Sequence, residues 1–327
     1  MRYFTRKVTL FLGTLWAAVT LNFAIPRLMP GSPVQLTLAR LAASGQVVTD
    51  ATRRAIEIQL GLPHTSILSQ YFQYLINTAE LHFGMTYSLQ DESVKQAIAA
   101  AAPWTLVLVG TTTVIAFIVG TLLGVVAGWR RQSRMDSMVT VSSTFFSAFP
   151  PFWFGLLLLY FLGFQYHLFP LTGGYSPGAT PHLSLSFIAD ASYHSVLPAT
   201  TLVITSLAGW VLGMRNNMIN TLGEDYVVFA EANGLKSRTI ALLYVARNAL
   251  LPNVTSFGLV LGAVIGGSVL VESIFGYPGV GSLLLQAVNN RDYPLMQAIF
   301  LMITVSMLVT IFLVDLLYGV LDPRVRQ

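Results

Sequence analysis

The chain has 327 residues, 54% hydrophobic and only 10% charged, where a soluble domain carries roughly 25%. So few charges cannot cover a water-exposed surface, which excludes an ordinary soluble domain and leaves an integral membrane protein. There is no cysteine, so disulfides, thiol catalysis and cysteine-based metal centres are excluded, and the net charge of +4 comes from scattered basic residues rather than a nucleic-acid footprint.

A helix needs about 20 apolar residues to cross a bilayer core. Six runs qualify, at 8–25, 104–129, 138–164, 196–214, 254–271 and 295–317. The first follows Arg2, Arg6 and Lys7. It runs long and lacks a small-x-small cleavage site, so it reads as a retained helix and not as a cleaved leader. After it, residues 31–103 mix Arg40, Asp50, Arg53, Arg54, Glu57, Glu80, Asp91 and Glu92 with apolar residues. Within this insert "SQYFQYLINTAELHFG" puts Tyr71, Tyr74, Leu75 and Ala79 at helical spacing. The insert is too polar to span. It reads either as a cap over a pore mouth or as a docking surface for a partner.

The second span carries Gly120, Gly124 and Gly128, a doubled G-x-x-x-G whose small residues stack on one helix face and admit a neighbouring backbone. Arg130, Arg131 and Arg134 follow it. The third span holds "FPPFW", where Pro150 and Pro151 remove backbone donors and bend the helix. That bend is either a packing kink or a pathway kink that exposes carbonyls to a solute. No Lys or Arg lies between spans three and four, whereas Arg215, Lys236, Arg238 and Arg247 follow span four. The fifth span repeats the glycine pattern at Gly258, Gly262 and Gly266. Only Arg291 separates spans five and six, and the tail carries Arg324 and Arg326. Short basic loops stay cytoplasmic, so both termini are expected inside.

Segment 224–252, "EDYVVFAEANGLKSRTIALLYVARNALLP", lies on that cytoplasmic side. Tyr226, Val227, Ala230 and Gly234 share one helical face. Gly234 is suited to end that helix, leaving Leu235 at the turn. A second amphipathic helix is expected over 238–251, with Pro252 preceding span five. Such a helix–Gly–helix fits either a groove on another protein or the bilayer surface.

No phosphate-binding G-x-x-x-x-G-K-[ST], G-x-S-x-G or H-E-x-x-H occurs. The five histidines form no tight metal pair, and the glycines of "GYPGVGS" do not follow a strand in a βαβ unit. No cofactor, metal or catalytic residue is expected. The ionisable residues nearest the spans, Glu272 and Asp315, sit at span ends, which disfavours an ion-coupled secondary transporter. A channel and a non-transporting structural subunit are further alternatives.

Segment 224–252 resembles the EAA loop of ABC-importer permease subunits. The longer distance from the glycine to "LP" is similar to the dipeptide/oligopeptide variety. "RLMPGSP", "LGLPHTSILSQYFQYL", "HFGMTYS", "GEDYVVFAEANGL", "RNALLPNVT", "VESIFGYPGVG", "NRDYPLMQAI" and "VDLLYGVLDPRVR" carry that resemblance along nearly the whole chain.

The resemblance implies an all-α membrane protein with six transmembrane helices and the type I ABC importer permease fold. It implies an N-terminal helix plus extracytoplasmic insert over 1–95, a permease domain over 96–318 with its coupling loop at about 216–252, and a cytoplasmic tail over 319–327. The implied partners are a second homologous permease subunit, two cytoplasmic ATPase subunits or a fused pair, an extracytoplasmic substrate-binding protein and the lipid bilayer. The implied place is a bacterial or archaeal inner membrane. ATPase coupling is carried over to Ala230, Glu231, Ala232, Asn233, Gly234, Leu235, Lys236 and Arg238. The family usually reads Ala-Arg-Ala-Lys-Gly at this turn, so Glu231 and Asn233 depart from it, and a matched ATPase is expected.

Overall fold

A computed structural model describes residues 2–28, 31–43, 45–59, 66–89, 92–182 and 184–321. His64, Asp91 and the tail arginines Arg324 and Arg326 lie outside the described residues, and parts of the "RLMPGSP", "LGLPHTS" and "LDPRVR" signatures fall there too.

The described residues are mostly helix. The chain runs through α1 (Arg2–Leu28), α2 (Pro33–Ala43), α3 (Asp50–Gln59), α4 (Ile67–Ala79), α5 (Val94–Trp129), α6 (Arg134–Ser147), α7 (Pro151–Leu158) with a π-helical extension Leu159–Gln165, and α8 (Leu185–Leu222). It continues through α9 (Asp225–Ala232), α10 (Ser237–Thr239), a π-helical stretch Ile240–Ala246, α11 (Arg247–Ala263), α12 (Val269–Ile274), α13 (Val280–Asn290) and α14 (Tyr293–Leu321). Among the described residues, five stretches are long and apolar enough to cross a membrane: Val8–Leu28, Val94–Trp129, Leu185–Leu222, Ser237–Gly266 and Tyr293–Val314. Arg134–Ser147 and Pro151–Gln165 make a sixth if counted as one span, bent by 94°.

Three boundaries differ from the sequence expectation. The fourth span, expected at 196–214, is the middle of a 38-residue helix that takes Pro198 in its interior. The second amphipathic helix, expected to stop before Pro252, instead runs on through it to Gly266. Asn217 of α8 ties this helix to its neighbour by donating to the Ala249 carbonyl at 3.2 Å, while the carbonyl whose helical donor Pro252 removes is that of Asn248. The fifth span, expected to reach residue 271, stops at Gly266. There Gly267 adopts φ +63°, and a Cβ at that position meets Thr105 and Glu272. The chain thus leaves the span early to form the separate short helix α12.

The most extensive pairing joins α5 to α8. It is close because Gly120, Gly124 and Gly128 lie against the backbone of α8. A Cβ on Gly124 falls 2.6 Å from Met214 Cβ and 2.7 Å from the Val211 carbonyl, inside contact distance. Gly258, Gly262 and Gly266 face α14 at Val314, Thr310 and Ile303. Both glycine runs therefore serve packing within this one chain. Phe117, Trp210 and Phe257 bind α5, α8 and α11 together through ring contacts.

Candidate functional site

The α9 end of the molecule is built on one apolar cluster. Val227 and Ala230 from α9 join Met214 and Met218 from α8 and Ile240, Val245, Ala246 and Ala249 from the following helix. Burying one stripe turns the rest of α9 outward: Phe229 is 71% exposed and Val228 56% exposed. Val227 and Ala230 are buried, while Tyr226 is partly exposed and ties α9 to the next helix by accepting from Asn248 Nδ2 at 3.0 Å.

The helix ends with paired hydrogen bonds. Leu235 N–H donates to the Ala230 carbonyl at 3.3 Å and Gly234 N–H to the Glu231 carbonyl at 2.9 Å, with Gly234 at φ +74°. This is a Schellman turn, and glycine suits it because a side chain strains that φ. A Cβ at Gly234 meets no atom within 4 Å, so the space over the turn is open. Glu231, Ala232, Asn233, Leu235, Lys236 and Arg238 are all exposed around it.

Next to this segment, Asp136 at the start of α6 receives the Arg215 guanidinium of α8 in a bidentate pair, with Nη2 2.8 Å from Oδ2. Asp136 also accepts from Gln132 N–H at 2.9 Å and is 3% exposed. The pair locks the start of the bent span to the helix that leads into α9.

Pro150 and Pro151 occupy the bend as N-cap and first residue of α7. Both are exposed in the isolated chain.

At the opposite end, two buried carboxylates organise the turns. Glu272, fully buried, accepts from Gly281 N–H at 2.7 Å, Ser282 N–H at 3.3 Å, Thr105 Oγ1 at 3.0 Å and Ser268 N–H at 3.4 Å. Val280 N–H donates to Thr105 Oγ1 at 2.8 Å. Glu272 and Thr105 together cap the first turn of α13, where free N–H groups and the helix dipole favour a carboxylate. Burial pushes the Glu272 carboxyl above its ordinary range, and the donors pull against that rise. Asp292, also fully buried, accepts from Tyr87 and Ser88 N–H and from Ser88 Oγ at 2.7–2.9 Å, and from Leu295 N–H at 3.2 Å at the start of α14. Burial and the neighbouring Asp292 push the Tyr87 phenol up to about 12.

The described residues hold no group of three or more His, Asp or Glu placed to bind a metal ion. What the fold offers is helices of membrane length, an exposed apolar helix at one end and tightly held turns at the other. Residues 120–327 match the family described as binding-protein-dependent transport system inner membrane component. The chain belongs to this family.

Full-length relatives agree. The permease is 33% identical to the oligopeptide transport system permease protein AppB of Bacillus subtilis, covering 99% of both chains. It is 32% identical to the di/tripeptide transport system permease protein DppB of Pseudomonas aeruginosa and 30% identical to the dipeptide transport system permease protein DppB of Escherichia coli, covering all of this chain and 99% of each relative. It is a multi-pass inner-membrane subunit of an ABC importer, a transport component and not itself an enzyme.

Sequence reasoning missed Asp136–Arg215, Glu272 and Asp292 as organising residues of this permease. Glu272 lies inside the quoted "VESIFGYPGVG" and Asp292 inside "NRDYPLMQAI". For Glu272 the signal within reach was the set of nearby glycines, Gly267, Gly279 and Gly281, which clear room for a carboxylate; Asp136 and Asp292 have no glycine beside them.

Proposed function

We propose that this chain forms half of a pathway for short peptides, paired with a second homologous permease subunit. Two cytoplasmic ATPase subunits, or a fused pair, drive it, and an extracytoplasmic binding protein delivers the solute. The peptide class rests on the names of three full-length relatives. Both termini face the cytoplasm in this reading, supported by the Lys and Arg that cluster at 2–7, 130–134 and 215–247.

The observation that carries the coupling role is α9 itself. It anchors Val227 and Ala230 inside the permease while presenting Phe229 and Val228 outward, next to an open Gly234 turn. Exposed large apolar residues on a short helix beyond the membrane suit a groove on a partner. Glu231 to Lys236 and Arg238 form this contact beside Val228 and Phe229, whereas Ala230, expected to share it, is buried and holds α9 to the permease, and α8 and the helix from Ser237 carry ATPase movement into the spans. Glu231 and Asn233, which stand where the family usually carries basic residues, favour an ATPase with a complementary rim. Uptake of labelled dipeptides by vesicles holding the complete importer tests the reading: uptake needs ATP, the binding protein and this chain together. A secondary transporter takes up peptide without any ATPase, and a structural subunit can be left out without loss.

A further inference from the structure

At the end of α1 furthest from α9 lies an open cleft of about 430 Å³ with mixed polar and apolar walls. Arg27, Gln70, Gln73, Tyr74, Asn77 and Gln297 line it, from α1, α4 and α14, and no carboxylate is among its described lining residues. Arg27 is held in place: its guanidinium lies 3.6 Å from the Phe23 ring centroid, Nη1 donates to the Phe23 carbonyl at 3.0 Å and Nη2 to Gln70 Oε1 at 3.3 Å. A guanidinium has five N–H donors, so several remain for a ligand. Gln297 Nε2, Asn22 Oδ1 and Thr78 Oγ1 are buried without hydrogen-bond partners behind the cleft wall. Beside it Asn22, 5% exposed, joins the Tyr74 hydroxyl to the Gln297 carbonyl, fixing α1, α4 and α14 around the cleft.

The other face of α4 identifies the occupant. Gln70, Gln73, Tyr74 and Asn77 form one stripe, while Leu68, Phe72 and Ile76 form the opposite one and are 52–66% exposed. The helix sits where α1 ends and α14 begins, and with those two helices crossing a bilayer this junction falls at the end of both spans, where headgroups lie. A buttressed cation flanked by amide side chains, with an exposed apolar stripe on the same helix, suits a phosphodiester attached to acyl chains. We propose that this cleft binds the phosphate of an anionic phospholipid and so seats α4 on the membrane. The inference needs only the membrane placement of α1 and α14, and stands apart from the peptide and coupling readings.

Native mass spectrometry of the purified importer, supplied with dioleoyl phosphatidylglycerol or dioleoyl phosphatidylcholine, tests it. The wild type should retain phosphatidylglycerol in preference. Arg27→Gln should weaken that lipid about fivefold, Arg27→Lys should restore most of it, and Asn77→Asp, which puts a carboxylate in the cleft, should weaken it without affecting phosphatidylcholine. Unchanged thermal midpoints show that the variants fold. Equal retention of the two lipids by the wild type, or unaltered retention by Arg27→Gln, overturns the proposal. Displacement by millimolar inorganic phosphate overturns it in favour of a free-anion site, and displacement by a dipeptide in favour of a solute vestibule.

Discussion

Asp136 and Arg215, separated by 79 residues, meet as a bidentate ion pair that fastens α6 to α8. Asp136 is almost fully buried and Arg215 only partly, so the carboxylate depends most on the contact. A hydrogen bond to a charged group contributes about 1.5–3 kcal/mol. Asp136→Asn should therefore cost about 2 kcal/mol and lower the thermal midpoint of the purified permease. Combining it with Arg215→Gln should cost less than the sum of the two single changes. Strict additivity denies the coupling.

Glu272→Gln replaces a carboxylate with an amide whose NH2 faces backbone N–H donors in at least one orientation. Losing a charged cap costs about 1–2 kcal/mol. Thr105→Val removes the acceptor for Val280 N–H in the same place. Hydrogen exchange should quicken across 280–290 in both variants, with little change in α9. Wild-type protection of α13 in Glu272→Gln shows that the carboxylate is not its cap.

The α5–α8 seam predicts sharp position dependence. A side chain at Gly124 must displace Met214 and the Val211 carbonyl, so Gly124→Val should greatly reduce folded yield. Gly110→Ala, whose Cβ has only Val264 near it at 3.9 Å, should be tolerated. Size-exclusion profiles after membrane extraction separate the two cases. Equal behaviour removes close backbone approach as the reason for glycine here.

The lack of native cysteine makes orientation directly measurable. On intact cells an impermeant thiol reagent should label Ser176→Cys and leave Lys236→Cys unlabelled. The reverse pattern inverts the proposed topology.

Membrane helices were legible because their apolar runs are long and local, and the Gly234 turn because its chemistry is contained in consecutive residues. The bent third span was legible at Pro150 and Pro151 as a break, but its angle depends on packing. Continuation of the helix through Pro252 was not legible, since an interior proline reads as a stop and the packing that carries the helix onward comes from other helices. Nor were the contacts of Asp136 with Arg215 or of Asp292 with Tyr87 and Ser88, whose partners lie 79 to 205 residues away with no local spacing to signal them. Glu272 read as a charge at a span end because the glycines near it, Gly267, Gly279 and Gly281, show only once folded that they surround the carboxylate.

Whether α9 is the ATPase contact decides the account. Phe229 is 71% exposed, so Phe229→Asp should leave the permease folded with an unchanged thermal midpoint. Gly234→Val adds strain of about 1 kcal/mol at positive φ and places bulk over the open turn. The measurement is the amount of ATPase retained when each variant is purified from membranes with its full importer. The account predicts that Phe229→Asp loses most of the ATPase and that Gly234→Val loses a large part, with peptide uptake falling in step. Full retention and full uptake in Phe229→Asp would contradict it and leave α9 as a helix lying on the bilayer.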